Sequence, residues 1–250
     1  MRPKSTSEIA VMRQAGRMLA AVLDRVKKAV APGISTKELS DMAAAELKQL
    51  GGQPAFLGYE GFPEVMCVSV NNEIVHGLPL GSKKIAAGDV VKLDFGVKYQ
   101  GLVVDSAITV IANGKKASSD VQRLLKGTEQ ALYAGIDAIK GEGTHIGDVS
   151  AAVEAVLNKY KLGVIRELVG HGLGDSIHEA PNIPNYGVKG AGPALKAGMT
   201  IAIEPMASLG DWPVQILKNG TVIMKDGSLG AHFEHTVLVT DKGAEILTQA

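Results

Sequence analysis

The chain has 250 residues, 46% of them hydrophobic and 21% charged, which fits one large globular domain or two fused halves. Lys plus Arg and Asp plus Glu balance at 26 each, so no net field favours nucleic acid or a membrane surface. A single cysteine, Cys67, excludes an internal disulfide framework and a multi-cysteine zinc module, and fits a reducing cytoplasm. The N-terminal stretch lacks the apolar core of a signal peptide, and no run of about 18 apolar residues offers a membrane span. The expectation is a soluble cytoplasmic protein.

Ser5-Thr6-Ser7-Glu8 reads as a capping box, in which a hydroxyl caps the helix start and Glu8 reaches back. Behind it Ile9, Met12, Ala15, Met18, Leu19, Val22, Leu23 and Val26 recur at helical steps. That spacing predicts an amphipathic helix closed by Ala31-Pro32-Gly33. A second helix follows Ser35-Thr36 and stops at Gly51-Gly52, and residues 64–80 alternate loosely as strands with a turn at Asn71-Asn72. Ser118-Ser119-Asp120 opens a third helix ending near Gly141 to Gly143, and a fourth runs from about Gly147 to Lys161. Ile34 and Gly51 recur as Ile146 and Gly163, an offset of 112 residues. Each half, about residues 1–112 and 113–250, therefore reads helix, helix, strands. No Pro-, Ser- or charge-rich linker divides them, which predicts one α+β domain over residues 1–250, with two units around one curved sheet.

Five metal-seeking side chains interrupt stretches that otherwise read as buried apolar strand. They are Asp94 in VVKLDFGV, Asp105 in GLVVDSA, His171 in LVGHGLG, Glu204 in TIAIEP and Glu234 in HFEHTVLV. A carboxylate in such a setting is costly unless a cation meets it. Four of them carry about four negative charges at neutral pH, which two divalent cations would cancel. No run of Lys or Arg lies near these segments to do so instead. If Lys98-Tyr99-Gln100-Gly101 is a hairpin loop, Asp94 and Asp105 face each other directly across two antiparallel strands, within about 5.5 Å. A solvated edge hairpin is the alternative, and Leu93, Phe95, Val97, Leu102, Val103 and Val104 argue against it. The flanking Gly170 and Gly172 would let a metal approach His171 closely. On a strand His232 would share a face with Glu234 and is a rival ligand, but two carboxylate-rich metals favour a second bridging anion. Hard oxygen donors with one imidazole suit Mn(II), Fe(II), Co(II) or Zn(II).

This ordered set resembles the methionine aminopeptidases along nearly the whole chain, and most closely their bacterial type I form. VNNEIVHGLP, LDFGVKYQGLVVDSA, GHGLGDSIHEAPNIPNY, IAIEPM and HFEHTVLVT carry the likeness. The resemblance implies a pseudo-twofold pita-bread α+β fold, a curved antiparallel sheet covered by two pairs of helices. It implies a hydrolase that removes the N-terminal methionine of nascent chains when the second residue is small. By resemblance, Asp94 and Asp105 bind one of two divalent ions, Asp105 also reaches the second, His171 and Glu204 complete that second site, and Glu234 bridges both. Glu204 would also shuttle a proton, while His178 and His76 would contact substrate near the scissile amide; the bland reading of both histidines is structural. Tyr59, Phe62 and Cys67, with Phe56 and Ile177 nearby, would form the methionine pocket, although ordinary core packing explains them too. Gly220 stands where the family often has a tryptophan, which leaves pocket shape and side-chain selectivity open.

The resemblance further implies a cytoplasmic monomer acting on emerging N-termini, without membrane or nucleic-acid binding; docking at the ribosome and the native metal stay open. Two rival readings compete with this one. A related class cleaves before proline but usually carries an additional N-terminal domain. A non-catalytic relative would have lost its ligands, and all five are present here.

Overall fold

The computed structural model describes residues 1–113 and 117–249. Helices α1 (Thr6–Ala29) and α2 (Thr36–Leu50) come first. Strands β1 (Gln53–Pro54), β2 (Cys67–Val70), β3 (Glu73–Val75), β4 (Val90–Tyr99) and β5 (Leu102–Ile111) follow. After α3 (Ser119–Asp137) and α4 (Ile146–Lys159) come β6 (Gly163–Val164), β7 (Val169–Gly172), β8 (Glu179–Pro184), β9 (Thr200–Ile203) and β10 (Met206–Ser208). The remainder is β11 (Val214–Ile216), β12 (Val222–Met224), β13 (Gly230–His232), β14 (Glu234–Thr240) and β15 (Gly243–Ile246). The helix–helix–strands order expected of each half is therefore present. No described helix is long and apolar enough to cross a membrane.

Local chemistry sets the helix starts. Ser5 accepts from the Glu8 amide at 3.3 Å while Glu8 accepts from the Ser5 amide at 2.8 Å, and Ser35 and Glu38 repeat the exchange at 3.2 and 2.8 Å. Gly51, in the left-handed region at φ 82°, ends α2. Helix α3 stops at Asp137, before the expected glycines. A tight turn from Ile139 N–H to Ile136 O and the Thr144 hydroxyl accepting from Lys140 N–H use the groups that a further turn would need.

One nine-stranded sheet organises the chain, in the order β1-β4-β5-β14-β9-β7-β8, with β2 also on β4 and β15 on β14. Alternation sorts its faces. Val91, Leu93, Phe95 and Val97 of β4 and Leu102 and Val104 of β5 share a core with α1 and α2. Ile201 and Ile203 of β9 pack in the equivalent core with α3 and α4. The intervening residues of these strands point to the opposite face, away from the helices.

That second face carries the polar groups, and register lines them up. Cys67 pairs with Asp94, Asp94 with Ala107, and Ala107 with Glu234. Ile203 pairs with His235, so Glu204, one step beyond, comes level with Glu234. Adjacent strands lie about 4.8 Å apart, so a single row across the sheet gathers three carboxylates.

Two expectations need correction. Tyr99 pairs with Leu102, so the β4–β5 loop is only Gln100-Gly101, at φ 46° and 87°. Positive φ at both positions is the signature of a two-residue hairpin turn. Asp94 therefore faces Ala107, and Asp105 faces Gly96; the aspartates share a face but meet diagonally. The glycines around His171 serve the backbone instead of opening space for a metal. A Cβ on Gly170 would lie 2.4 Å from Ala202 O, and one on Gly172 would lie 2.8 Å from Ala180 O. Gly170→Ala should therefore cost about 1–3 kcal/mol in denaturant unfolding through forced strand separation. Wild-type stability in that variant would show that β7 and β9 are not so closely packed.

Candidate metal centre

The inner face of the sheet forms one wall of a cavity of about 800 Å³. Ten of the residues singled out in sequence line it: Asp94, Asp105, His171, Glu204, Glu234, His76, His178, Tyr59, Phe62 and Cys67. The first five are buried, with the carboxylates between 2% and 9% exposed. Side chains from strands β4, β5, β7 and β14 and the residue just after β9 thus converge from almost the whole chain length.

Backbone contacts fix Asp105, Glu234 and Glu204 in place. The Asp105 amide donates to Thr236 Oγ1 at 2.8 Å, and that hydroxyl donates back to Asp105 O at 2.7 Å. Ser106 Oγ donates to Glu234 O at 2.6 Å, and Asn185 donates to Glu204 O at 3.1 Å. The β7–β8 ladder shifts register between His171 and Gly172, a bulge that re-aims the histidine.

Donor atoms of Asp105, His171 and Glu234 all lie within 4.8 Å of one another. Glu204 reaches the same place, its Oε1 3.3 Å from His171 Nε2. Asp94 stands beside the trio. His171 Nδ1 lies 3.0 Å from Gly172 O, an acceptor only, so Nδ1 carries the proton and Nε2 presents a lone pair. Burial holds the His171 pKa down to about 4, so the ring is neutral and its contact with Glu204 is not an ion pair. Lone pair therefore faces carboxylate.

The carboxylates tell the same story. Burial is the first cause pushing Asp94, Glu204 and Glu234 well above the ordinary range, with repulsion from their acidic neighbours next. Burial likewise pushes Asp105 up to about 7. Among the described residues, Oδ1 of Asp94, Oδ1 of Asp105 and Oε1 of Glu234 have no hydrogen-bond partner. Buried native oxygens seldom go unpartnered, and here several point into one space. This donor set fits divalent cations.

His232, the rival ligand considered in sequence, lies within the same cluster. Its Nε2 is 3.5 Å from Glu204 Oε2 and 3.9 Å from Glu234 Oε2, and neither ring nitrogen has a hydrogen-bond partner among the described residues. Burial pulls its pKa down to about 3.

Beside the acidic cluster, Phe56, Cys67, Val103 and Ile177 form a small apolar core with Tyr59 and Phe62 against it. Gly96 makes room for it, since a Cβ there would meet the Phe56 ring at 2.7 Å. Val103, read in sequence only as part of an apolar strand, joins this cluster from the face of Asp105, two residues on. Gly220 also borders the cavity, at φ 85° with open space around its Cα. Tyr59 Oη lies 3.0 Å from His178 Nδ1, a pairing no sequence pattern announced. The His178 ring packs edge-on against His171 at 4.3 Å, and His76 occupies a left-handed conformation at φ 56°, uncommon outside glycine.

The model of metallopeptidase family M24 matches residues 10–241. The methionine aminopeptidase 1 of Bacillus subtilis is 43% identical over 98% of both chains. That of Aquifex aeolicus is 45% identical over 98% of this chain and 97% of its own. The crystal structure of methionine aminopeptidase from Thermotoga maritima superposes with a TM-score of 0.97 at 44% identity, covering all of both chains. The curled antiparallel sheet backed by two helix pairs is accordingly the pita-bread fold that the resemblance implied. With the geometry, the family match and these full-length relatives in agreement, the chain belongs to metallopeptidase family M24 and, within it, to the methionine aminopeptidases.

Proposed function

We propose that this chain removes the N-terminal methionine from nascent polypeptides by hydrolysing the first peptide bond, with preference for a small second residue. One observation carries the reading: four buried carboxylates and a neutral imidazole converge beside an apolar recess within one cavity. We further propose that residues 1–250 act as a single catalytic unit, monomeric and cytoplasmic, on N-termini as they leave the ribosome.

Asp94, Asp105, His171, Glu204 and Glu234 would hold two divalent ions of the Mn, Fe, Co or Zn type. Bound there, such a pair supplies an acidified water and charge stabilisation for the carbonyl. The chain's own groups do the rest. Glu204 lies buried against His171 and His232 with its proton affinity raised, so its carboxylate takes a proton from the attacking water and passes it to the leaving amine. Tyr59 Oη and His178 Nδ1 share a hydrogen bond; in the tautomer in which Tyr59 donates, His178 Nε2 carries the proton and can hydrogen-bond the developing oxyanion. His76 contacts the peptide nitrogen. Phe56, Tyr59, Phe62 and Cys67 enclose the methionine side chain, whose unbranched thioether adapts to an irregular apolar recess.

With Mn(II) present, kcat/KM on Met-Ala-Ser should exceed that on Met-Leu-Ser by about 100-fold, a crowding effect at the second residue. Faster cleavage of an Xaa-Pro dipeptide than of Met-Ala-Ser would overturn the substrate assignment. His178→Ala should lower kcat by about 10²-fold with KM little altered, because the lost donor serves only the transition state. An unchanged kcat would remove His178 from the mechanism.

A further inference from the structure

Strand β4 buries a second ionisable side chain on the same face as Asp94. Lys92 is 1% exposed and lies among the largest fully buried side chains of the protein. Its Nζ is 2.7 Å from Asn71 O, 3.3 Å from Val90 O and 3.3 Å from Gly230 O. Those three contacts are all carbonyl oxygens, and none is a carboxylate. Lysine is almost never fully buried without an ionic partner. Three carbonyl oxygens can only accept, so satisfying all three takes the three N–H groups of an ammonium ion. Burial is the first cause pulling the Lys92 pKa down to about 7, and the charges of Glu73 and Asp89 oppose it.

The carbonyls belong to separate pieces of chain. Asn71 forms the turn between β2 and β3 in the left-handed region at φ 57°, and its carbonyl also accepts from Gly230 N–H at 3.2 Å. Its amide donates to Val90 O at 2.8 Å, so the Lys92 ammonium caps oxygens that already tie these segments together. Every segment runs into the site. Asn71 leads along β3 to His76, Gly230 precedes His232 and Glu234, and Lys92 is two residues before Asp94.

We propose that Lys92 is a positioning residue, whose ammonium is an internal cation clamping three backbone segments so that His76, Asp94 and the His232–Glu234 stretch keep their approach to the metal centre. The proposal rests on the aminopeptidase reading of that centre. Its chemistry is that of a resident cation: carbonyl dipoles that would repel one another are drawn to one charge.

The test uses full-length Lys92→Met, which keeps the stem and loses the charge, and Lys92→Ala, which leaves room for a small amine. Mn(II) affinity of the metal-free chain by calorimetry, and kcat on Met-Ala-Ser, should each fall about 10–100-fold, as for other groups that orient metal ligands, with KM little altered. Ethylammonium should restore part of both losses in Lys92→Ala, whereas tetramethylammonium, which has no N–H, should restore neither. If the truncations do not fold, Lys92→Gln, which keeps two N–H donors and drops the charge, should show the same direction of loss. A folded variant with Mn(II) affinity and kcat within about twofold of wild type, where normal variation lies, would overturn the clamp, even if its melting temperature fell. Failure of ethylammonium to restore either quantity in folded Lys92→Ala would also overturn it. Amide exchange over residues 71–76 and 230–234 should rise in the metal-free variants. That reading stands even if wild type took up no Mn(II), a result that would defeat the metal-centre assignment instead.

Discussion

The fold is arranged around a repulsion. Four carboxylates and two neutral imidazoles are buried on one face of a sheet, and their oxygens and lone pairs point at each other. Raising Asp105 from its ordinary 3.8 to about 7 corresponds to on the order of 4 kcal/mol between its ionised and neutral forms. Asp94, Glu204 and Glu234 are pushed in the same direction. Surface ion pairs, usually worth less than about 1 kcal/mol each, cannot offset costs of that size. Divalent cations held by these oxygens would offset them.

Holding such a face together falls to the other side of the sheet. Val91, Leu93, Phe95 and Val97 alternate with Lys92, Asp94 and Gly96, so the residues that anchor β4 to α1 and α2 also dictate where Asp94 points. Ile201 and Ile203 do the same for Glu204 against α3 and α4. The first and second halves of the chain thus deliver an acidic pair each, and the β5–β14 pairing joins them through Ala107 and Glu234. Thr236 locks that junction by exchanging hydrogen bonds with the Asp105 backbone.

Much of this was legible from residue types. Charged groups inside apolar strand patterns are rare enough to mark a site, and the capping box at Ser5 marks a helix start to within a residue. Register was not legible, because the two-residue and four-residue readings of the β4–β5 turn keep both aspartates on one face and differ only in which residues oppose them. Gly170 and Gly172 looked like room for a ligand, whereas their Cβ positions belong to neighbouring backbone oxygens. Lys92 escaped notice because alternation gives the face of a long side chain but not what its end reaches, and its Nζ is turned onto carbonyls. The Tyr59–His178 contact joins residues 119 apart, beyond any local pattern.

Proton release on metal uptake tests the electrostatic premise most directly. Asp105, pushed up to about 7, is largely protonated near pH 6.5, while His171 at about 4 is already neutral and has no proton to give. Titrating metal-free protein with Mn(II) in buffers of different ionisation enthalpy should therefore show release of about one proton or more per chain at pH 6.5. Affinity should tighten as pH rises toward 8, because ions and protons compete for the same oxygens. Uptake of Mn(II) with no proton released, and with an affinity flat across that range, would contradict the account.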